Sequence, residues 1–286
     1  MGTLTGFHRA PCTYVGRVNL KVCDLERALR FYRDVIGFRV LAQTGSTALL
    51  TADGKTVLLA LERPDDVVPK QAGTTGLYHV ALLLPSRTDL ARIVRHFARI
   101  GLRFGHSDHL VSEALYLSDP DGNGIEIYRD RDPSEWTWNN GEVEMAVDPI
   151  DFRDLLAATE DRPWDGLPAG TLMGHIHLHV SELGAAERFY VDGLGFEVVN
   201  RYGPQALFLS TGRYHHHIGL NTWNGVGAPR PARNSVGLRS FTLVYPGETA
   251  RTRAVERLRT LGVDVEEEDD MYAAEDPSGN RVLLAI

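Results

Sequence analysis

The sequence predicts an α+β fold built from four βαβββ modules, and three observations predict it. Residues Val15–Val40 align without a gap with Met173–Val198, sharing Gly16/Gly174, Leu20/Leu178, Arg30-Phe31-Tyr32/Arg188-Phe189-Tyr190 and Gly37-Phe38/Gly195-Phe196. Gly76–Pro85 and Asp119–Tyr128 align in the same way with Gly237–Pro246 and Asp276–Ala285. The chain is therefore an ordered set of modules 1, 2, 3 and 4, with 1 like 3 and 2 like 4, and such internal repetition decides architecture before any single motif does. Within each module, alternating strand patterns flank one stretch of helical spacing, which gives the βαβββ unit.

Each module opens on a short strand, such as Val15–Val22 or His175–Val180. In modules 1 and 3 an acidic residue follows, Asp24 or Glu182, suited to cap a helix. Leu25, Ala28, Leu29, Tyr32 and Ile36 then recur at helical spacing, and Gly37 ends the run. Module 2 has its helix near Thr88–Ile100, closed by Gly101, and module 4 near Thr249–Leu261, closed by Gly262. Three strands complete each unit, separated by turn chemistry at Asp53-Gly54, Asp121-Gly122-Asn123-Gly124, Thr211-Gly212 and Ser278-Gly279-Asn280. Residues 10–130 hold modules 1 and 2, and residues 171–286 hold modules 3 and 4. The 131–170 segment between them carries Trp136, Trp138, Trp164 and a helix near 149–158. A connection of that length is either a packed strap or a cover over a site.

Composition narrows the function classes. At 286 residues the chain can bury real cores. A formal net charge of -8 argues against nucleic-acid and anionic-membrane partners. No run approaches the ~20 apolar residues of a membrane span, and the first twelve residues lack an apolar signal core. Two cysteines, Cys12 and Cys23, are too few for a disulfide framework and fit a reducing cytoplasm; Cys23 reads as a small buried residue at a strand end.

The differences between copies mark the chemistry. The strand Gly-His-Ile-His-Leu-His-Val puts His175, His177 and His179 on one face, because strand side chains alternate. His79 of module 2 matches His175 of module 3, whereas Arg17 and Ser240 fill that slot in modules 1 and 4. On the last strand, Glu126 stands four residues after Gly122; the matching slots hold His216, Leu58 and Leu283. His79, His175 and Glu126 make a two-histidine, one-carboxylate set, which binds one face of an octahedral ion and leaves positions open. That set points to mononuclear Fe(II), with Mn(II) the second choice. Zinc would prefer a tetrahedral site holding one water.

The repeat, the signatures Phe31-Tyr-Arg-Asp-Val-Ile-Gly-Phe38 and Phe189-Tyr-Val-Asp-Gly-Leu-Gly-Phe196, and the turn Asp119-Pro-Asp-Gly-Asn-Gly-Ile-Glu126 resemble the vicinal-oxygen-chelate family. That family includes glyoxalase I, bleomycin-resistance proteins, fosfomycin-modifying enzymes and type I extradiol dioxygenases. The resemblance covers the chain except 131–170. Four modules point to the extradiol branch, and to its bacillary catechol-cleaving members in particular. It implies two paired-module half-barrels, a catechol-type aromatic diol as substrate, O2 as co-substrate, and a cytoplasmic homo-oligomer serving aromatic catabolism. Tyr116, ten residues before Glu126, matches the family's tyrosine that steadies the catecholate. His216, second in a His-His pair, matches its acid–base histidine. A further histidine before the tyrosine is His106 or His109, with His109 preferred. His177 and His215 are then pocket residues. In better-known extradiol enzymes modules 3 and 4 enclose the metal. Here module 4 is blank, and only pairing modules 2 and 3 brings His79, Glu126, His175 and His216 to one centre.

Two other readings stay open. A glyoxalase-type lyase or isomerase would need a fourth protein ligand, commonly a carboxylate, where His216 stands. A non-catalytic binder of the bleomycin-resistance type would lack the three ligands.

Overall fold

The computed structural model describes residues 4–157, 159 and 162–286. Module 1 comprises β1 (Tyr14–Lys21), α1 (Leu25–Arg30), β2 (Arg39–Gln43), β3 (Thr47–Thr51) and β4 (Val57–Glu62). Module 2 comprises β5 (Gly76–Leu83), α2 (Arg87–Arg99), β6 (Gly105–Asp108), β7 (Ser112–Ser118) and β8 (Gly124–Asp130). The intervening segment forms a hairpin of β9 (Trp138–Asn139) and β10 (Glu142–Val143), then α3 (Phe152–Ala157); the expected helix end at Ala158 lies outside the described residues. Module 3 comprises β11 (Leu172–His179), α4 (Leu183–Glu187), β12 (Glu197–Tyr202), β13 (Ala206–Ser210) and β14 (Ile218–Asn221). Module 4 comprises β15 (Gly237–Val244), α5 (Glu248–Thr260), β16 (Glu266–Glu268), β17 (Met271–Glu275) and β18 (Arg281–Ala285).

The strands form two eight-stranded sheets. One runs β16-β17-β18-β15-β1-β4-β3-β2 and the other β12-β13-β14-β11-β5-β8-β7-β6. Modules 1 and 4 thus share one sheet and modules 2 and 3 the other, so the chain-order units 10–130 and 171–286 are not spatial units. Each sheet is joined at its centre by an antiparallel pair of first strands, β1 with β15 and β5 with β11. Within a module, the first and last strands run parallel, as β5 with β8 and β11 with β14.

The helices begin as their caps require. The Asp24 carboxylate accepts from the Arg27 N–H, and that of Glu182 from the N–H groups of Gly184 and Ala185. The helical runs then differ from a plain α-helix, because Phe31–Ile36 and Arg188–Gly193 wind as π-helical turns. That wider turn carries the buried Tyr32 and Tyr190 outward, where each hydroxyl donates to a turn carboxylate of the next module: Tyr32 to Asp119 at 3.0 Å and Tyr190 to Asp276 at 3.1 Å. The two sequence signatures are therefore halves of one device, pinning module 1 to module 2 and module 3 to module 4 across the two sheets. The same carboxylates hold their turns through the N–H groups of Asn123 and Asn280.

The apolar core is continuous through both sheets, from Val18, Leu20 and Tyr32 to Ile176, Phe189 and Phe241. A smaller cluster of Val111, Trp136, Val143, Val199 and Tyr214 anchors the intervening segment. Among the described residues no helix is long and apolar enough to cross a membrane.

Candidate metal centre

β5 and β11 pair around Val80 and Ile176. His79 and His175 each precede one of these by one residue, so alternation turns both rings to the opposite face from that apolar pair. β8 lies parallel to β5 with Glu126 opposite Ala81, which brings the carboxylate between the two rings. His79 Nε2 lies 3.0 Å and His175 Nε2 3.1 Å from Glu126 Oε2, and the two ring nitrogens are 3.4 Å apart. All three side chains are buried. Donors about 2.1 Å from one ion would be about 3.0 Å apart at right angles and about 3.4 Å at tetrahedral angles. The observed separations fall in that span, so the residues fit a single divalent ion.

The protonation states suit it too. Burial depresses His175 to about 4, leaving a neutral imidazole at physiological pH. Burial opposes ionisation of Glu126, but the adjacent His175 and then His79 outweigh it and hold the carboxyl well below its ordinary value. The Nδ1 of His175 is buried without a partner among the described residues.

His79 and Glu126 line a cavity of about 420 Å³, with His175 buried behind them. Tyr116 and His109 form one side. The Nδ1–H of His109 donates to the Ala146 carbonyl at 2.6 Å, which leaves Nε2 to accept from the Tyr116 hydroxyl at 2.6 Å. Burial raises the Tyr116 phenol well above its ordinary value, so it stays protonated. His106 also lines the cavity, but its Nδ1 accepts from the Ile150 N–H at 3.3 Å. Of the two histidines, His109 is the one joined to Tyr116.

His216 lines the other side, its ring 4.1 Å from that of His175. It lies in the connection before β14, not on a strand, because the Tyr214–His217 run curls between β13 and β14. Burial, then the neighbouring His175, lower it well below its ordinary value, so it is a neutral ring. His215 departs from expectation. It is fully buried and does not line the cavity, because its Nε2–H donates to Asp130 Oδ1 at 2.8 Å. Its Nδ1 therefore accepts from His216 Nδ1–H at 2.8 Å, which leaves His216 Nε2 as the free acceptor of that ring. Asp130 Oδ1 also accepts from Tyr214, whose hydroxyl meets that of Tyr128.

His177 lines the cavity, held by the Nδ2–H of Asn221 at 3.0 Å. His179, on the same strand face, turns its Nδ1 to the other side of Asn221 and lies outside the cavity. The remaining wall is apolar and aromatic: Tyr78, Met145, Tyr202, Phe208 and Trp223. Met145, Ala146 and Val147 come from the 131–170 segment, which therefore packs as a strap through Trp136 and also supplies cavity wall. Asp130, Tyr128 and Asn221 were missed by the sequence reading. Asp130 alone had a signal, standing four residues after Glu126 on the same strand face.

The sequence profile of the Glyoxalase/Bleomycin resistance protein/Dioxygenase superfamily matches residues 14–127 and 172–284. The chain belongs to that superfamily. It is 47% identical over 282 residues to the catechol-2,3-dioxygenase of Bacillus subtilis (strain 168), an alignment spanning 96% of this chain and 98% of that one. Two solved structures share the fold. Glyoxalase I from Zea mays is 15% identical with a TM-score of 0.57, over 95% of this chain and 92% of that one. CppA from Streptococcus pneumoniae TIGR4 is 11% identical with a TM-score of 0.57, over 96% and 99%.

Proposed function

We propose that this protein is an extradiol ring-cleaving dioxygenase, opening a catechol-type ring beside its diol to give a muconic semialdehyde-type product. The observation that carries the reading is the convergence of His79, Glu126 and His175 on one point at the buried edge of a cavity that Tyr116 and His216 also line. The likeness to a catechol-2,3-dioxygenase over nearly the whole length supports it. His79, Glu126 and His175 would hold the ion, Fe(II) by preference and Mn(II) as second choice. Bound there, the metal supplies adjacent sites for the diol and dioxygen, so that both reactants meet on one centre.

The protein's own groups handle the protons. A substrate hydroxyl beside Tyr116 can pass its proton to the phenol oxygen while the phenol proton moves to His109 Nε2, along a bond already 2.6 Å long. The Ala146 carbonyl fixes the tautomer that makes this direction available. His216 offers an unprotonated Nε2 on the dioxygen side. Asp130, through His215, keeps the His216 proton on Nδ1. In module 3 the register position of Glu126 is held by Gly219, so no carboxylate stands there as a fourth ligand, which weighs against the glyoxalase-type alternative. The aromatic wall excludes water and receives the ring.

The test is direct. Protein loaded anaerobically with Fe(II) should take up one O2 per catechol and form a coloured ring-opened acid. The His79→Ala variant should retain neither iron nor oxygen uptake. Iron-loaded protein that leaves catechol unchanged would overturn the reading, and full iron content in His79→Ala would overturn the ligand assignment.

A further inference from the structure

The sheet of modules 1 and 4 carries a second cavity, also of about 420 Å³, over the slots that hold metal donors in the other sheet. Arg17 stands where His79 and His175 stand, and Ala60 takes the register position of Glu126, so no carboxylate faces Arg17 from the neighbouring strand; Arg17 and Leu58 line this cavity. The wall is otherwise mainly apolar, with Val15, Val244, Leu172, Met173 and Met271. It contains no aspartate or glutamate. Among the described residues the Arg17 guanidinium has no ion-pair partner, and its Nε is buried with no hydrogen bond. His8, 8% exposed, also faces this cavity with its Nδ1 unpartnered, its Nε2–H donating to the Gly174 carbonyl at 2.8 Å.

A buried polar atom without a partner is costly, and a guanidinium facing an apolar chamber lacks the carboxylate that its planar fork matches. We propose that this cavity binds a small organic carboxylate with an apolar body, its anionic head on the Arg17 fork and its body along the methionine and valine wall. Multiply charged anions are disfavoured, because one cation in an apolar chamber cannot offset their desolvation.

The test titrates the full-length protein calorimetrically with sodium benzoate, sodium hexanoate and neutral benzyl alcohol, before and after chelator treatment. At least one carboxylate should bind saturably with a Kd below about 1 mM, the weak end of specific small-ligand binding. The affinity should not depend on metal, and benzyl alcohol should bind at least about tenfold more weakly. Preference for benzoate or hexanoate identifies an aromatic or an aliphatic body. Arg17→Met, with an unchanged far-ultraviolet spectrum, should weaken carboxylate binding by about tenfold or more. Should that variant fail to fold, Arg17→Lys keeps the charge without the fork and should bind several-fold more weakly. Absence of saturable binding by either carboxylate overturns the proposal. So does binding that disappears with the metal, that benzyl alcohol equals, or that the Arg17 variants leave unchanged.

Discussion

Replacing Asp130 by leucine tests the proton chain behind His216. The carboxylate is buried, and its Oδ1 accepts from both His215 Nε2 at 2.8 Å and the Tyr214 hydroxyl at 3.2 Å. In Asp130→Leu, Tyr214 still has the Tyr128 hydroxyl at 2.7 Å, but the His215 Nε2–H faces apolar surface. Leaving that donor unmet costs about 1–3 kcal/mol. The ring can escape part of this by moving its proton to Nδ1. His216 Nδ1 must then accept, and its own proton shifts to Nε2. The cavity thereby loses a proton acceptor and gains a donor. Turnover should fall about 10²–10⁴-fold, the usual worth of a positioned acid–base group. Metal content should stay at the parent level, and the urea midpoint should report only the modest destabilisation. Asp130→Asn is the control, because its amide oxygen can keep both bonds and should preserve most of the activity. Single-turnover stopped-flow measurement of catechol with O2 on iron-loaded protein resolves the chemical step. If folded, iron-loaded Asp130→Leu turns over within about threefold of the parent, the tautomer argument is wrong. His216→Asn then decides whether the histidine itself matters.

Three further outcomes follow from the geometry. Gly174→Ala should cost about 3 kcal/mol or more and abolish metal loading, since the new Cβ would lie 1.9 Å from the hydroxyl of the buried Tyr128 beside His175; Gly16→Ala meets only a Val244 methyl at 2.7 Å and should cost about 1 kcal/mol. Tyr116→Phe should lower turnover about 10²-fold with little change in iron content, because His109 loses the proton chain it completes. Acid should unfold the metal-free protein early. Burial lowers His8, His177, His216 and His217, so the unfolded chain binds more protons once the pH drops below about 6.5. Stability from these rings is fully present above that pH. It is lost as the pH falls toward their folded values, by up to about 1.4 kcal/mol per pH unit for each ring. Urea midpoints at several pH values measure it, and a flat profile between neutral and pH 5 would contradict their neutral burial.

The fold was legible because a repeat lets one copy interpret another. The helices of modules 2 and 4 begin and end within a residue of their expected bounds, since glycine closures and apolar spacing are local signals. The π-helical turns were not legible. They answer a distant need, to aim Tyr32 and Tyr190 at carboxylates 87 and 86 residues away. The cluster of His79, Glu126 and His175 was readable as differences between copies, and strand alternation sufficed to give them one face. His215 was not, because its direction depends on Asp130, and nothing local shows that the two approach. The strap's role was half legible. Its tryptophans announce packing, but the wall at Met145–Val147 is set by backbone bonds between Asp108 and Asp148 that no composition reveals.

The exchange of sheet partners also governs the order in which the molecule can be made. The first strand, Tyr14–Lys21, pairs with Gly237–Val244, so the earliest module synthesised waits for the last before its sheet can close. The His79 strand waits for the His175 strand, nearly a hundred residues later. A chain leaving the ribosome therefore carries two unpaired central edges at once, each the natural mate of a segment not yet translated. Because modules 1 and 2 are alike in outline, the nearest available edge for either is the wrong one. The Tyr32–Asp119 pin needs no segment beyond module 2, and it holds those two edges in different layers while they wait.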